Sequence, residues 1–266
     1  MNRRKFIQST SIVATGLALA PQLISASTNS EKNKVILVIL SGGIRLQDAM
    51  NETNMPTFFA KENGLYKKGV LFNNVHYSGT EITHSHAKYA LLNGTTKIDN
   101  NFLNQPWQSK ISSGYAYIYT DLKDKEKFLD SYNYSNSVDG ADFIVVDADG
   151  ADVAHYNFTE YKNHLKRVDE FLANIYKMNV DSKQEFTLLV VTEHGRNKAH
   201  NSMGGLDHYQ PEARNTFAWL ATNDTKIKQG TIIDKTIDST ETMLFCESRL
   251  QKKSSTQTLN LNLAFA

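Results

Sequence analysis

The chain has 266 residues, of which 40% are hydrophobic and 10% aromatic, with 14 Gly and 4 Pro. This composition excludes a disordered, collagen-like or disulfide-rich chain. The 29 basic and 28 acidic residues nearly cancel, so the total charge predicts no attraction to nucleic acid or to an anionic membrane. The single cysteine, Cys246, cannot form an internal disulfide, and we expect it to be a buried apolar residue in a helix.

Residues 1–26 have the three regions of a secretory signal peptide. A basic start at Arg3-Arg4 precedes a mildly apolar stretch, and small residues around Ala26 offer a cleavage site. The apolar stretch is too short to span a bilayer, which needs about 20 residues, so we predict no permanent membrane anchor. Arg3-Arg4 resembles the bacterial twin-arginine signal, which predicts passage through that export machinery to the periplasm or the exterior. An ordinary secretory signal is the alternative.

Strands and helices alternate along the rest of the chain. Residues 27–33 are polar and predict a flexible lead-in, and residues 34–266 predict a single domain. Apolar, β-branched runs predict strands at Lys34–Leu40, Tyr115–Thr120, Phe143–Asp147, Phe186–Thr192 and Thr216–Ala221. Helical patterns lie between and after them, at Met55–Asn63, Ser85–Asn93, Lys123–Tyr132, Phe158–Met178 and Ser239–Leu250. This alternation predicts an α/β fold with a largely parallel sheet flanked by helices.

Five of the eight histidines lie at or just beyond the predicted ends of these elements. They fall in segments 83–86, 149–155, 192–194 and 207–208, beside carboxylates and glycines rather than among apolar neighbours. Two of these clusters follow an apolar strand, and the carboxyl ends of strands in a parallel sheet lie at one rim. Imidazole and carboxylate groups at one rim predict a metal site, whereas each histidine taken alone could equally be a surface or capping residue.

The order of these motifs resembles the alkaline phosphatase and sulfatase superfamily across residues 34–250. The resemblance rests on a first strand with a glycine turn, Asp152-x-x-His155, Glu193-His194-Gly at a strand end, and Gly-Gly-x-Asp-His208. It implies a three-layer sandwich with a largely parallel central sheet and a site for two metal ions at the carboxyl rim. It also implies that a hydroxyl or modified cysteine attacks phosphorus or sulfur.

The resemblance assigns roles to particular residues. Asp152, His155 and His208 would hold one ion, and Glu193 and His194 the other. Imidazole-rich donor sets favour zinc, so we predict one or two divalent ions, with zinc as the metal.

The attacking group and the anion-binding groups come from other segments. Thr83 and His84 are the candidate catalytic residues, with His84 either ligating an ion or attacking, and with a capping role as the alternative for Thr83. Arg45 and Arg196 follow glycine turns and are candidates to bind the anionic group of a substrate, or else to form ion pairs.

Three departures from the superfamily pattern limit the prediction. Ser41 occupies the position of the usual metal-binding Asp at the end of the first strand, and Glu193 replaces another Asp. The segment from His84 lacks the Pro and Arg that a sulfatase needs to generate its nucleophile. The sequence therefore predicts an exported, metal-dependent hydrolase of small phosphate esters or related anionic esters. The alternative is an inactive relative that serves as an envelope binding or assembly protein.

Overall fold

A computed structural model gives the fold and describes residues 33–98, 107–111, 114–123, 130, 132, 141–251 and 260–265. The predicted signal peptide and most of the lead-in lie outside these residues and stay predictions. Asn33, the last residue of the predicted lead-in, is buried and donates a hydrogen bond to Thr187. Within the described residues, none of the helices is both long and apolar enough to cross a bilayer.

A central sheet organises the described part of the chain. Its strands are β1 (Lys34–Leu40), β2 (Val70–His76), β3 (Tyr115–Asp121), β4 (Phe143–Asp149), β5 (Phe186–Thr192), β6 (Asn215–Thr222), β7 (Ile232–Ile233) and β8 (Ile237–Asp238). The order is β3-β4-β1-β5-β6-β2-β7, with β8 also paired to β2. Of these strands only β6 runs against the others, because it pairs antiparallel with both β5 and β2. The predicted largely parallel sheet is confirmed.

Helices cover both faces of the sheet. They are α1 (Leu46–Ala49), α2 (His84–Asn93), α3 (Trp107–Lys110), α4 (Phe158–Asp181) and α5 (Glu241–Leu250), with short 3-10 turns between elements. Ile36 and Val38 of β1 face a core shared with α4, whereas Val35 and Leu37 face a second core shared with α2 and α5. The three-layer α/β sandwich predicted from the sequence is therefore confirmed.

The central strands are buried on both faces, as their unbroken apolar runs predict. Every residue of β1 and β5 is buried, and β1 lies between β4 and β5 in parallel register. Helix α4 follows its predicted stripe, because Tyr161, Leu165, Val168, Phe171, Leu172 and Ile175 are all buried. Cys246 is fully buried in α5, as expected.

One predicted helix is wrong, and one long strand was not predicted. Residues 55–63 form turns rather than a helix, because Pro56 has no amide hydrogen and the amides of Thr57 and Phe58 donate to the carboxylate of Asp169. Strand β2 was missed because Asn73 and Asn74 interrupt its apolar run, and the register shifts between Phe72 and Val75. The predicted helix at 123–132 lies largely outside the described residues.

Candidate metal centre

The carboxyl ends of three neighbouring strands meet at one rim of the sheet. After β1 the chain turns through Ser41 and two glycines; after β4 it enters the 3-10 turn Ala151–His155; after β5 it reaches Glu193 and His194. Gly42 and Gly43 have φ angles of +90° and +76°, and a Cβ on Gly42 would lie 2.5 Å from the amide nitrogen of Asp152. Glycine is needed here because the turns pack against each other without room for a side chain.

The structure brings the predicted metal ligands together. His84, His155 and His208 form one group and His84, Glu193 and His194 a second; within each group the ligand atoms lie within 4.8 Å of one another. Asp152 borders the first group, because its Oδ1 is 2.9 Å from Nε2 of His84 and 3.6 Å from Nε2 of His155. His84 thus belongs to both groups.

Three histidines have their protons fixed by oxygen acceptors outside the groups. Nδ1 of His155 donates to Asp207 at 2.9 Å, Nδ1 of His208 to the carbonyl of Ile82 at 3.0 Å, and Nδ1 of His194 to the carbonyl of Gly195 at 2.7 Å. Because these oxygens only accept, each Nδ1 carries a proton, and Nε2 is the nitrogen left for a metal; Nε2 of His194 also contacts Nδ1 of His84 at 3.1 Å. This outer-shell bonding is how metal-binding histidines are oriented in proteins.

Electrostatics keep His208 neutral. Burial lowers the pKa of His208, and the neighbouring rings of His194 and His84 and the charge of Arg196 lower it further, to about 3. The ring of His208 lies 4.4 Å from that of His194 and 4.9 Å from those of His84 and His155, measured between centroids. A neutral ring among other imidazoles is suited to a metal ligand.

His84 lies between two carboxylates. Its Nε2 contacts Asp152, and its Nδ1 makes a short contact with Oε1 of Glu193. Burial alone would lower the pKa of His84, but these two hydrogen bonds and charges raise it to about 9. Burial would raise the pKa of both carboxylates, but the pairing with His84 lowers that of Asp152 to about 2, and the hydrogen bonds with His194 and His84 lower that of Glu193 to about 2. Without a metal, His84 is therefore an imidazolium that holds the two groups together.

Thr83 is the N-cap residue of α2 and, among the described residues, it belongs to neither of the two ligand groups. Its exposed side chain accepts a hydrogen bond from the amide of His86, so it caps the helix, which was the alternative for this residue. Since the hydroxyl only accepts in this bond, its own hydrogen remains available.

The two candidate anion-binding arginines are engaged in structural contacts. Arg45 is buried and pairs through two bonds with Asp48, at 2.6 and 2.8 Å, while its third nitrogen donates to two carbonyls. Arg196 is also buried and donates to the carbonyls of Gly42, Gly43, Ala151 and Leu206 and to Asp152. These contacts favour the ion-pair alternative for Arg45 and a structural role for Arg196 over binding of a substrate anion.

A neighbouring cluster was not predicted from the sequence. Nζ of Lys88 lies 3.0 Å from Oδ2 of Asp147 and 4.0 Å from Oε2 of Glu193. Burial alone would lower the pKa of Lys88, but the charges of Asp147 and Glu193 raise it above its ordinary value. Two signals could have found this cluster: Lys88 is one helical turn after His84, and Asp147 is near the end of a buried strand beside β1.

Comparison with solved structures identifies the fold. The soluble domain of lipooligosaccharide phosphoethanolamine transferase A from Neisseria meningitidis is 12% identical, with a TM-score of 0.60 over 88% of this chain and 92% of that one. Murine ectonucleotide pyrophosphatase/phosphodiesterase 5, as an inactive variant in complex with AMP, is also 12% identical, with a TM-score of 0.63 over 88% and 100%. A protein of the alkaline phosphatase superfamily from Vibrio parahaemolyticus is 13% identical, with a TM-score of 0.54 over 81% and 66%.

No protein-family model and no curated protein matches the sequence. At identities this low a structural likeness shows the fold and leaves the activity open. The resemblance to the superfamily that the sequence motifs predicted is confirmed at that level: the chain has the alkaline-phosphatase-like α/β fold.

Proposed function

We propose that the protein is an exported, metal-dependent hydrolase of phosphate esters. The observation that carries the proposal is the arrangement of His155, His194 and His208. Nδ1 of each ring is hydrogen-bonded to an oxygen outside the ligand groups, which leaves Nε2 of His155 beside Asp152, at 3.6 Å, and Nε2 of His194 beside Glu193, at 3.4 Å. A protein that used these histidines only for packing would have no need to orient all three in this way.

The donor set fits zinc. Three neutral imidazoles with a carboxylate match the ligands that zinc prefers, whereas magnesium prefers oxygen ligands alone. A bound zinc ion would supply Lewis acidity toward a phosphoryl oxygen. The residues of the chain would do the rest: Asp207 and the carbonyl of Ile82 hold the rings, and the exposed hydroxyl of Thr83, next to His84, is the proposed attacking group.

Phosphate esters are the proposed substrate class because of the neighbours in fold. The two similar enzymes are named for phosphoethanolamine transfer and for pyrophosphatase and phosphodiesterase activity. The export half of the proposal rests on Arg3-Arg4 and the apolar stretch that follows, which predict the twin-arginine machinery as a partner and the periplasm or exterior as the location.

The test is metal content and turnover of the purified mature chain. We expect bound zinc by mass spectrometry and hydrolysis of p-nitrophenyl phosphate or bis(p-nitrophenyl) phosphate that is lost with EDTA and restored by zinc. The double variant His155→Ala, His208→Ala should lose metal and turnover together. His76→Ala is the matched control, since His76 is on β2 and contacts Asn215 instead of the ligand groups. Stoichiometric zinc retained by the double variant would refute the assignment.

A binding or assembly protein without turnover is the second candidate. It is favoured by Ser41 at the position of the usual Asp and by the structural contacts that occupy Arg45 and Arg196. Thr83→Ala separates the two candidates. The hydrolase should keep its metal and lose turnover in this variant, whereas a binding protein that carries metal shows no turnover before or after the change.

A further inference from the structure

We propose that Lys88 supplies a fixed positive charge on the Glu193 side of the site, so that the protein binds one divalent ion, in the His84, His155 and His208 group, instead of two. The inference rests on the proposed metal-dependent function and concerns how many ions that function uses. It departs from the two-ion arrangement that the sequence resemblance implies.

The first step is the position of the ammonium group. Nζ of Lys88 lies between two carboxylates, 3.0 Å from Oδ2 of Asp147 and 4.0 Å from Oε2 of Glu193. Both carboxylates are buried, Asp147 at 3% exposure and Glu193 at 0%. Buried carboxylates need a compensating charge, and a lysine one turn along α2 from His84 already provides it.

The second step is the state of Asp147, the carboxylate nearest Ser41. β4 pairs with β1 in a register that places Asp147 opposite Ile39, two residues before Ser41. The hydroxyl of Ser41 donates to Oδ1 of Asp147 in a short bond, and Tyr117 donates to Oδ2 at 2.7 Å, beside the ammonium of Lys88. Asp147 could replace the missing first-strand Asp as a ligand, but hydrogen-bond donors occupy both of its oxygens.

The third step is the state of Glu193. Its Oε1 accepts the amide of Gly42 at 2.6 Å and contacts His84. Its Oε2 is buried and accepts no hydrogen bond from the described residues, and Nζ of Lys88 lies 4.0 Å from it. A second divalent ion on this oxygen would face an ammonium a few ångströms away, without the first-strand carboxylate that normally offsets its charge. At such a distance in a buried site the repulsion is large.

The test counts zinc ions. The mature chain is dialysed against buffered free zinc, and bound metal is measured by mass spectrometry. We expect one zinc per wild-type chain and two per Lys88→Met chain, because that change keeps the length of the side chain and removes its charge. Lys88→Arg, which keeps the charge, and Lys166→Met, which removes a charge from the exposed face of α4, should each bind one.

Two zinc ions in the wild-type chain would overturn the inference, and this measurement does not depend on any variant folding. One zinc in Lys88→Met with an unchanged circular dichroism spectrum would overturn it as well. The proposed function fails differently: a wild-type chain that binds no zinc refutes both, whereas one bound zinc without hydrolysis refutes the hydrolase and still supports the inference.

Discussion

Two halves of the same rim differ in which groups stand beside their carboxylates. In the histidine half, formed by His84, His155 and His208 with Asp152 beside them, hydrogen bonds from Nδ1 to outside oxygens orient the rings of His155 and His208. In the lysine half, formed by Lys88, Asp147 and Glu193, opposite charges already compensate one another. The first half is prepared for a cation and the second already contains one. The proposed one-ion site would mean that a shared fold does not fix the number of metal ions, because a single lysine would change it.

The largest expected effect comes from Arg196, which joins the turns that carry both halves. Its fully buried guanidinium donates to four carbonyls and to Asp152. Arg196→Met should lower the free energy of unfolding by about 3 kcal/mol or more, because the buried acceptors lose their partners. Denaturant unfolding of the metal-free chain measures this. Arg167→Met on α4, whose guanidinium pairs with Glu160, is the control and should cost about 1 kcal/mol or less. Equal losses would refute the role of Arg196.

The next effect contrasts the halves directly, through one outer hydrogen bond in each. Asp207→Asn removes the charge that orients His155 and should weaken zinc binding roughly 10- to 100-fold. Tyr117→Phe removes a bond to Asp147 in the lysine half and should leave zinc affinity within about twofold, since no ion is expected there. Competition with a chromogenic chelator gives both affinities. A loss of affinity in Tyr117→Phe as large as in Asp207→Asn would show that both halves hold metal.

The smallest effect is the pH dependence of the metal-free chain. The pKa of His84 is raised to about 9 in the folded chain, against an ordinary value of 6.5. Its contribution to stability is therefore complete below about pH 6.5 and is lost as pH rises through about 9. The ring is one-third exposed, so the effect is modest. Melting temperatures with EDTA at pH 6.5 and 9.5 should differ more for the wild-type chain than for His84→Gln. An unchanged difference in the variant would contradict the role of His84.

The fold was predictable because its signal is local. The largely apolar runs at Lys34–Leu40 and Phe186–Thr192 match the observed strands residue for residue, since strands buried on both faces carry apolar side chains at most positions. β2 was not predictable in this way, because its pairing with β6 depends on residues far along the chain and compensates for two asparagines.

The site was predictable in its ligands and less so in its surroundings. Imidazoles and carboxylates at strand ends can be recognised as candidate metal ligands by residue type, and the parallel sheet brings them together. The partners of Arg45 and Arg196 could not be predicted, because a guanidinium binds a substrate anion and a set of backbone carbonyls equally well. Only the path of the folded chain decides between them. The salt bridge of Lys88 with Asp147 joins α2 to β4, two elements separated by 59 positions in sequence.

The placement of Cys246 has a consequence for the proposed export of the chain. The thiol is fully buried in α5, and burial raises its pKa well above the ordinary value, so it remains a protonated and unreactive group. Transfer from reducing to oxidising surroundings therefore creates no mixed disulfide and no cross-linked dimer as long as the chain stays folded. On the proposed twin-arginine route, which carries folded proteins, the chain would need no thiol chemistry on either side of the membrane.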